Sequence, residues 1–423
     1  MSLKTVAVFL TVSAIASIFA INSDDFQTIF EDFDFTNITA ANSACTIDIN
    51  TQTGSPQPVY IRPGTNQFFH PSNRNGQIQM SANQAMELWC SGSWASPAGA
   101  QNLITATCVS GQTFQYNGND INFNDFRCSG WPWWSTRNTG VKCYSGGVLI
   151  DFGYQVDTRW INIYTSCHDL VLETTWYIKH KFTHISDGNQ RSVTRPAWTQ
   201  SDFFTSSNVN GLYTRNTQRA TIATILEDQA AAECFVEADP SDVFLARGHI
   251  AAMTDFIFAT EQRATFHFLN ANPQWQTFNG YNWVSVEISS RKVASDRGIE
   301  LDVYSGTYGI SQLWNSEGIR KNIYLDWPAG RIPMPQIYYK ILIHQDSLSG
   351  VVLIGVNNPH LTLDDIQTHG YIICPDVSDQ INYVTWIRTD LRRGYSYACE
   401  VHDFTTVVQH IPEIQNIRYR LLV

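Results

Sequence analysis

The sequence predicts an α+β fold: a disulfide-braced, mainly β N-terminal region ahead of a region where strands and helices mix. Three observations carry this expectation. Six of the nine cysteines fall before residue 170, among short alternating runs broken by Gly, Pro, Asn and Ser. Further on, Ala220, Ile222, Ala223, Ile225 and Leu226 form an apolar stripe at helical spacing. Residues 245–290 then read strand, loop, strand, helix.

Taken in order, the chain opens with the form of a secretory signal. Lys4 is the positive start, 5–20 is an uncharged and mostly apolar run, and Ala14, Ala16, Ser17 and Ala20 offer small residues for cleavage. The run is shorter than the ~20 residues a membrane span needs. Residues 1–20 are therefore expected to be a signal peptide, and the protein to be secreted and extracellular, with no membrane association. Residues 22–37 form an acidic lead-in, and Asn37-Ile38-Thr39 is a glycan acceptor sequence.

Residues 46–166 carry alternating runs at 57–61, 77–80, 103–108 and 148–152. Six cysteines there (Cys45, Cys90, Cys108, Cys128, Cys143 and Cys167) imply three bridges whose pairing the sequence leaves open. Cys374 and Cys399 are expected to pair, leaving Cys234 free or differently paired. No C-x-x-C pair occurs, which disfavours a zinc ribbon. The cluster Trp131-Pro132-Trp133-Trp134 reads either as a stacking platform or as a core wedge against the disulfides, and the wedge is the favoured reading.

The character changes near Asp169, so 21–169 and 170–423 are taken as two regions. Residues 170–182 read as a strand. A loop follows, ending at Arg195-Pro196-Ala197-Trp198, where Pro196 biases Arg195 away from helix. Residues 214–232 read as helix, and 299–306, 337–343 and 351–356 as strands. The stretches 362–367 and 384–390 stay unassigned, and 403–411 fits a short final helix. With 13 Trp, 18 Tyr and 23 Phe the chain can bury a sizeable core. Its net charge of −11 argues against a general nucleic-acid binder. Lys179, His180, Lys181, His184, Arg191, Arg195, Arg215 and Arg219 nevertheless make a locally basic run, suited to steering an anion or simply to a solvated surface.

The richest chemistry lies in 245–287. If 245–249 is extended, Arg247 and His249 share a face, and Gly248 between them permits close approach. If 279–290 is helical, Asn279, Trp283, Val286 and Glu287 share a broad face. A histidine is a general base for water, an arginine binds a phosphoryl oxyanion, and amide and carboxylate oxygens suit a hard divalent ion. Together these are the parts of a phosphodiester displacement. In a regular helix Asn279 and Glu287 are separated by roughly 12 Å of rise. One would then bind the metal and the other a metal-bound water, unless the helix begins after Asn279.

The residues ARGH (246–249), NANPQ (270–274) and FNGYNWVSVE (278–287) resemble the signature of DNA/RNA non-specific endonucleases, the ββα-metal nucleases, over residues 170–423. The order of signal, Cys-rich region and LARGH-type domain is similar to the secreted arthropod branch with duplex or double-stranded-RNA substrates. Ala246 stands where bacterial members carry aspartate, and the proline usual after the histidine is absent. The resemblance implies a central antiparallel sheet flanked by helices. It implies His249 as general base, Asn279 as direct Mg²⁺ ligand (with Mn²⁺ as a substitute) and Glu287 as holder of a metal-bound water. Arg247 and Asn270 would support phosphate and site, and Gln274 would join Arg247 and Arg195 on the substrate. TRPAW (194–198) resembles the family's upstream arginine segment, which makes Arg195 the transition-state cation. The implied activity is Mg²⁺-dependent cleavage of DNA and RNA, with double strands preferred and no obligate protein partner. The alternative is an inactive nuclease-derived protein that binds extracellular nucleic acid.

Overall fold

Runs of alternating or doubly apolar residues build one large sheet, described from a computed structural model that places residues 44–411, 414 and 417–423. The expected signal, the acidic lead-in and the Asn37 acceptor sequence lie outside the described residues. The sheet runs Ser135–Lys142, Val148–Val156, Arg159–Asp169, Thr174–Phe182, Leu301–Tyr308, Ile337–His344, Ser349–Val356 and Ser396–Cys399, each antiparallel to the next. Arg420–Leu421 adds a parallel pairing to Ser349–Val356. Ile337–His344 and Ser349–Val356 are apolar nearly throughout because both faces of the sheet are covered. Tyr338 and Leu342 point to the face that carries most of the helices, and Tyr339, Ile341 and Ile343 to the other.

The α+β expectation holds, including the β-rich, disulfide-braced N-terminal region. There, Val59–Ile61, Ala85–Trp89, Leu103–Ser110, Thr113–Tyr116 and Asn119–Asn122 form a five-stranded antiparallel sheet with its own core. Cys45–Cys108 and Cys90–Cys128 brace it, while Cys143–Cys167 and Cys374–Cys399 staple the large sheet and its margin. The two regions share packing. Tyr154, Ile161, Ile257 and Phe258 belong to the N-terminal core, Arg159 pairs with Glu87 at 2.6 Å, and His70 with Glu261 at 3.1 Å. The first three strands of the large sheet lie upstream of residue 170, where the sequence changes character.

Several local expectations change. The helix read over 214–232 is two, Arg215–Leu226 and Gln229–Phe235. Glu227 adopts a left-handed conformation (φ 55) and ends the first, and the Asp228 side chain caps the second by accepting from the Ala231 amide. Apolar spacing alone runs straight through such a break. Residues 362–367 become the helix Leu363–Thr368, capped by Thr362. The final helix is Val401–Val407, earlier than expected, because Val408 turns extended and enters the core. The tryptophan cluster divides. Trp134 packs against both cores, as a wedge should, but Trp133 is 77% exposed.

Cys234 is unpaired and exposed. One thiol per chain should therefore react with an aromatic disulfide reagent in the native state, and still only one after unfolding without reductant. A second reactive thiol, or Cys234 recovered in a disulfide-linked peptide, would contradict the pairing.

Candidate active site

Leu245–His249 and Ala271–Trp275 pair antiparallel, with His249 opposite Ala271 and Arg247 opposite Pro273. This two-stranded unit lies against the large sheet through Gly248. A β-carbon at 248 would come within 2.3 Å of Gln274 Oε1 and 2.8 Å of the Tyr338 hydroxyl, so only glycine permits the approach. Tyr338 in turn donates to the Asn272 carbonyl at 2.8 Å. Asn357 accepts from the Trp275 amide and donates to the Pro273 and Pro335 carbonyls, which fixes the far end. The chain then makes one helical turn, Gln276–Asn279, packed against the first strand, and restarts as the helix Asn282–Arg297. An uninterrupted helix from Asn279 is therefore corrected. Gly280 and Tyr281 break it, Tyr281 has non-helical torsions, and the rise of a regular helix does not measure the distance from Asn279 to Glu287.

His249 is half-buried between aromatic rings, 4.8 Å from the Trp198 centroid and 4.9 Å edge-on from Phe266. Its Nε2 lies 3.3 Å from Thr265 Oγ1, and that hydroxyl donates its own proton to the Gln262 carbonyl at 2.7 Å. Thr265 can then only accept, which puts the imidazole proton on Nε2 and leaves the lone pair on Nδ1. Burial pushes the His249 pKa down to about 3, the Arg195 charge pushes the same way, and Asp255 opposes them. The ring is neutral at pH 7.

Arg195 is exposed, close enough to act on His249, and forms no ion pair among the described residues. Arg247 is half-buried, donates to Asn210 Oδ1 at 2.7 Å and lies 5.4 Å from the Tyr213 ring centroid. Asn270 is fully buried. It donates to the Ala251 and Thr265 carbonyls and accepts from the Ala251 amide, so it holds both the segment after His249 and the residue His249 touches. Gln274 is fully buried behind Gly248, and its amide atoms have no partner. Asn279 is half-buried at the end of its helical turn. Its Nδ2 donates to Gln276 Oε1 at 3.1 Å, and its Oδ1 has no partner among the described residues. The preceding Phe278 is clamped where Gly355 and Gly394 leave no room for a β-carbon. Glu287 is half-buried and has no side-chain hydrogen bond among the described residues. Burial first and Asp255 second raise its pKa to about 7, against the pull of Lys340 and Arg291.

Sequence reasoning missed the group that His249 and Glu287 have in common. Asp255, on the turn six residues after His249, accepts from Arg291 at 2.8 Å through one oxygen, and from Lys340 at 2.6 Å and the Ala252 amide at 3.2 Å through the other. Lys340 is fully buried in the strand Ile337–His344. Two cations face one carboxylate, so an ionised Glu287 makes the buried set neutral. A signal was available, since Asp255 and Lys340 each stand alone as charges in apolar runs, AAMTDFIFA and IYYKILI. A cleft of about 740 Å³ between the two regions is lined by His70, His180, Asp255 and Glu261, but not by His249, Asn279 or Glu287. Among the described residues no group of three His, Cys, Asp or Glu side chains converges as a ligand set.

The family described as DNA/RNA non-specific endonuclease matches residues 147–404. A salivary endonuclease of Lutzomyia longipalpis is 24% identical over 312 residues, covering 73% of this chain and 70% of the relative. Salivary protein Tsal1 of Glossina morsitans morsitans is 22% identical over 342 residues, covering 78% of this chain and 82% of the relative. A solved complex of EndoG with EndoGI aligns at 18% identity and a TM-score of 0.30, covering 46% of this chain and 71% of that one.

Replacing Asp255 with asparagine strands Lys340 and Arg291 as buried cations and should cost about 3–5 kcal/mol in denaturant unfolding. Burial raises the Asp255 carboxyl, but Lys340 and Arg291 outweigh it and hold the pKa at about 2, below the ~3.9 of an unfolded aspartate. A depressed carboxylate stabilises the fold above the unfolded value. That contribution should fall away between about pH 4 and 2 in the wild type, and the D255N variant should lack this part of the acid transition. Equal stability of the two proteins at pH 7 would refute the account.

Proposed function

Because the chain belongs to the DNA/RNA non-specific endonuclease family, and is on that ground a phosphodiester-cleaving hydrolase, we propose a secreted, Mg²⁺-dependent enzyme that cuts both DNA and RNA and prefers double strands. The observation that carries the catalytic part is His249. It is neutral, its Nε2 proton faces Thr265, and its Nδ1 lies open beside Arg195, which has no ion pair among the described residues. Secretion is supported by four disulfides and by salivary relatives, and the expected signal segment agrees.

In this reading His249 takes a proton from the attacking water at Nδ1. Arg195 meets the charge that gathers on the phosphoryl oxygens, and Arg247 binds an adjacent phosphate. Asn270 keeps the segment after His249 in place. Gln274 backs the strand that carries Arg247 and His249, and its substrate role rests on the resemblance alone. The donor set fits a hard divalent ion, since Asn279 offers an amide oxygen without a protein partner and Glu287 a carboxylate without a hydrogen bond. Asn279 would bind the ion directly and Glu287 through water. When bound, Mg²⁺, or Mn²⁺ in its place, supplies charge stabilisation at the leaving oxygen. Lys340 and Arg291 favour the ionised form of Glu287 that this role needs. Residues 170–423 carry this chemistry, and the N-terminal region braces it. Double-strand preference is drawn from the arthropod members that the sequence resembles.

A cleavage panel of single- and double-stranded DNA and RNA, with and without EDTA, tests the reading. EDTA should abolish cutting, His249→Ala should lower kcat by roughly 10²- to 10⁴-fold, and Asn279→Ala should raise the Mg²⁺ concentration needed. Cleavage indifferent to EDTA and to His249→Ala would sink the mechanism. Salt-dependent binding with no turnover of any substrate would favour the inactive binding protein instead.

A further inference from the structure

We propose that the tip of the N-terminal region at Trp133 is a stacking station for an unpaired nucleobase of the strand being cut at His249. The proposal rests on the nuclease reading and names an extension of its substrate site.

The first observation is a large ring held rigidly in solvent. Trp133 is 77% exposed, yet its neighbours are fixed. Pro132 is buried, Trp134 wedges into both cores, and the Trp133 amide donates to Ser91 Oγ at 2.9 Å. Ser91 adjoins Cys90, which is bonded to Cys128, and the Ser129 amide donates to the Ser93 carbonyl at 3.0 Å. The exposure is therefore built into the local structure and is not a frayed end. A single exposed aromatic is ordinary on a protein surface, so it is the fixed backbone beneath this indole and the groups beside it that point to a contact surface.

The second observation is continuity with the catalytic residues. The Arg263 guanidinium carbon lies 4.4 Å from the Trp131 ring centroid, and the side chain donates to the Thr194 carbonyl at 2.6 Å. Thr194 precedes Arg195, whose charge acts on His249, and Trp198 packs on the His249 ring. The backbone of Thr199 pairs with the segment of Phe266 and Phe268, which holds this run in place. Trp133 lies two residues from Trp131, and contacts then run from Trp131 through Arg263 to Thr194, next to Arg195, and from Trp198 to His249. Aromatic faces interleaved with guanidinium groups match a nucleic-acid strand, whose bases stack while its phosphates meet cations. A neutral glycan would not call for the arginines. The inner faces of base pairs are already stacked within a duplex, so the indole serves single strands and duplex ends, and the double-strand preference proposed above is set elsewhere in the site.

The test compares wild type, Trp133→Ala and Trp133→Phe on a single-stranded oligonucleotide long enough to reach the tip. Each is also assayed on the same sequence with abasic sites flanking the cut, and on a dinucleotide. Trp133→Ala should raise KM roughly 5- to 100-fold on the intact strand with kcat and melting temperature unchanged, while Trp133→Phe keeps most of the affinity. On the abasic strand the wild type should fall to the KM of Trp133→Ala, and on the dinucleotide the three should agree. Equal KM for wild type and Trp133→Ala on the intact strand overturns the proposal, as does the same rise on intact and abasic strands. Binding of the labelled oligonucleotide in EDTA is measured in parallel. It tests the tip even if the wild type cuts nothing, an outcome that would count against the nuclease reading alone.

Discussion

The carboxylate of Asp255 is the point on which the half of the molecule that carries His249 turns. One oxygen holds Arg291 from the long helix, and the other holds Lys340 from the central strand and the backbone of the loop after His249. Sheet, helix and the loop after His249 therefore meet at a single buried anion. Such a group is costly to desolvate, and it is held only because two cations and an amide satisfy it. The arrangement specifies relative position more than it adds stability. It places Glu287, on the same helix as Arg291, in a field set by three other charges.

His249 shows the opposite strategy. It is kept neutral by a largely apolar setting of Trp198 and Phe266, with one weak polar contact to orient it. A histidine with so low a pKa is a weak base in the resting state, but it is never blocked by a proton at neutral pH. An arriving phosphodiester would raise its basicity, since an anion favours the imidazolium. The nearby Arg195 has no ion-pair partner among the described residues, whereas Arg247 already donates to Asn210. Half of the site is thus dry and preset, and half is left for the substrate to complete.

The N-terminal region contributes more than bracing. Its core takes in Ile257 and Phe258 from the segment just beyond Asp255, and its tip carries Trp131 beneath Arg263. Two disulfides brace this small β unit around its own buried core. The helix Ala259–Ala264 joins that packing to Thr265, the residue that His249 touches.

Much of this was legible in the sequence. The α+β class, the N-terminal disulfide region, the Cys374–Cys399 pairing and the strand, loop, strand, helix unit follow from spacing and composition, because local periodicity and cysteine clustering are written residue by residue. The likeness of the 245–287 motifs to a nuclease signature was also legible, and the family match agrees. Local signals could not show that Gly280 and Tyr281 interrupt the helix after Asn279, since Phe278 is clamped there by Gly355 of a distant strand and Gly394 of the loop before Ser396–Cys399. They could mark Asp255 and Lys340 as odd charges in apolar runs, but not that the two meet across 85 residues of chain. The tautomer of His249 and the exposure of Trp133 were likewise decided by the tertiary structure. Both depend on which surfaces face each other after folding, and that is a property of the packed whole and not of any window of sequence.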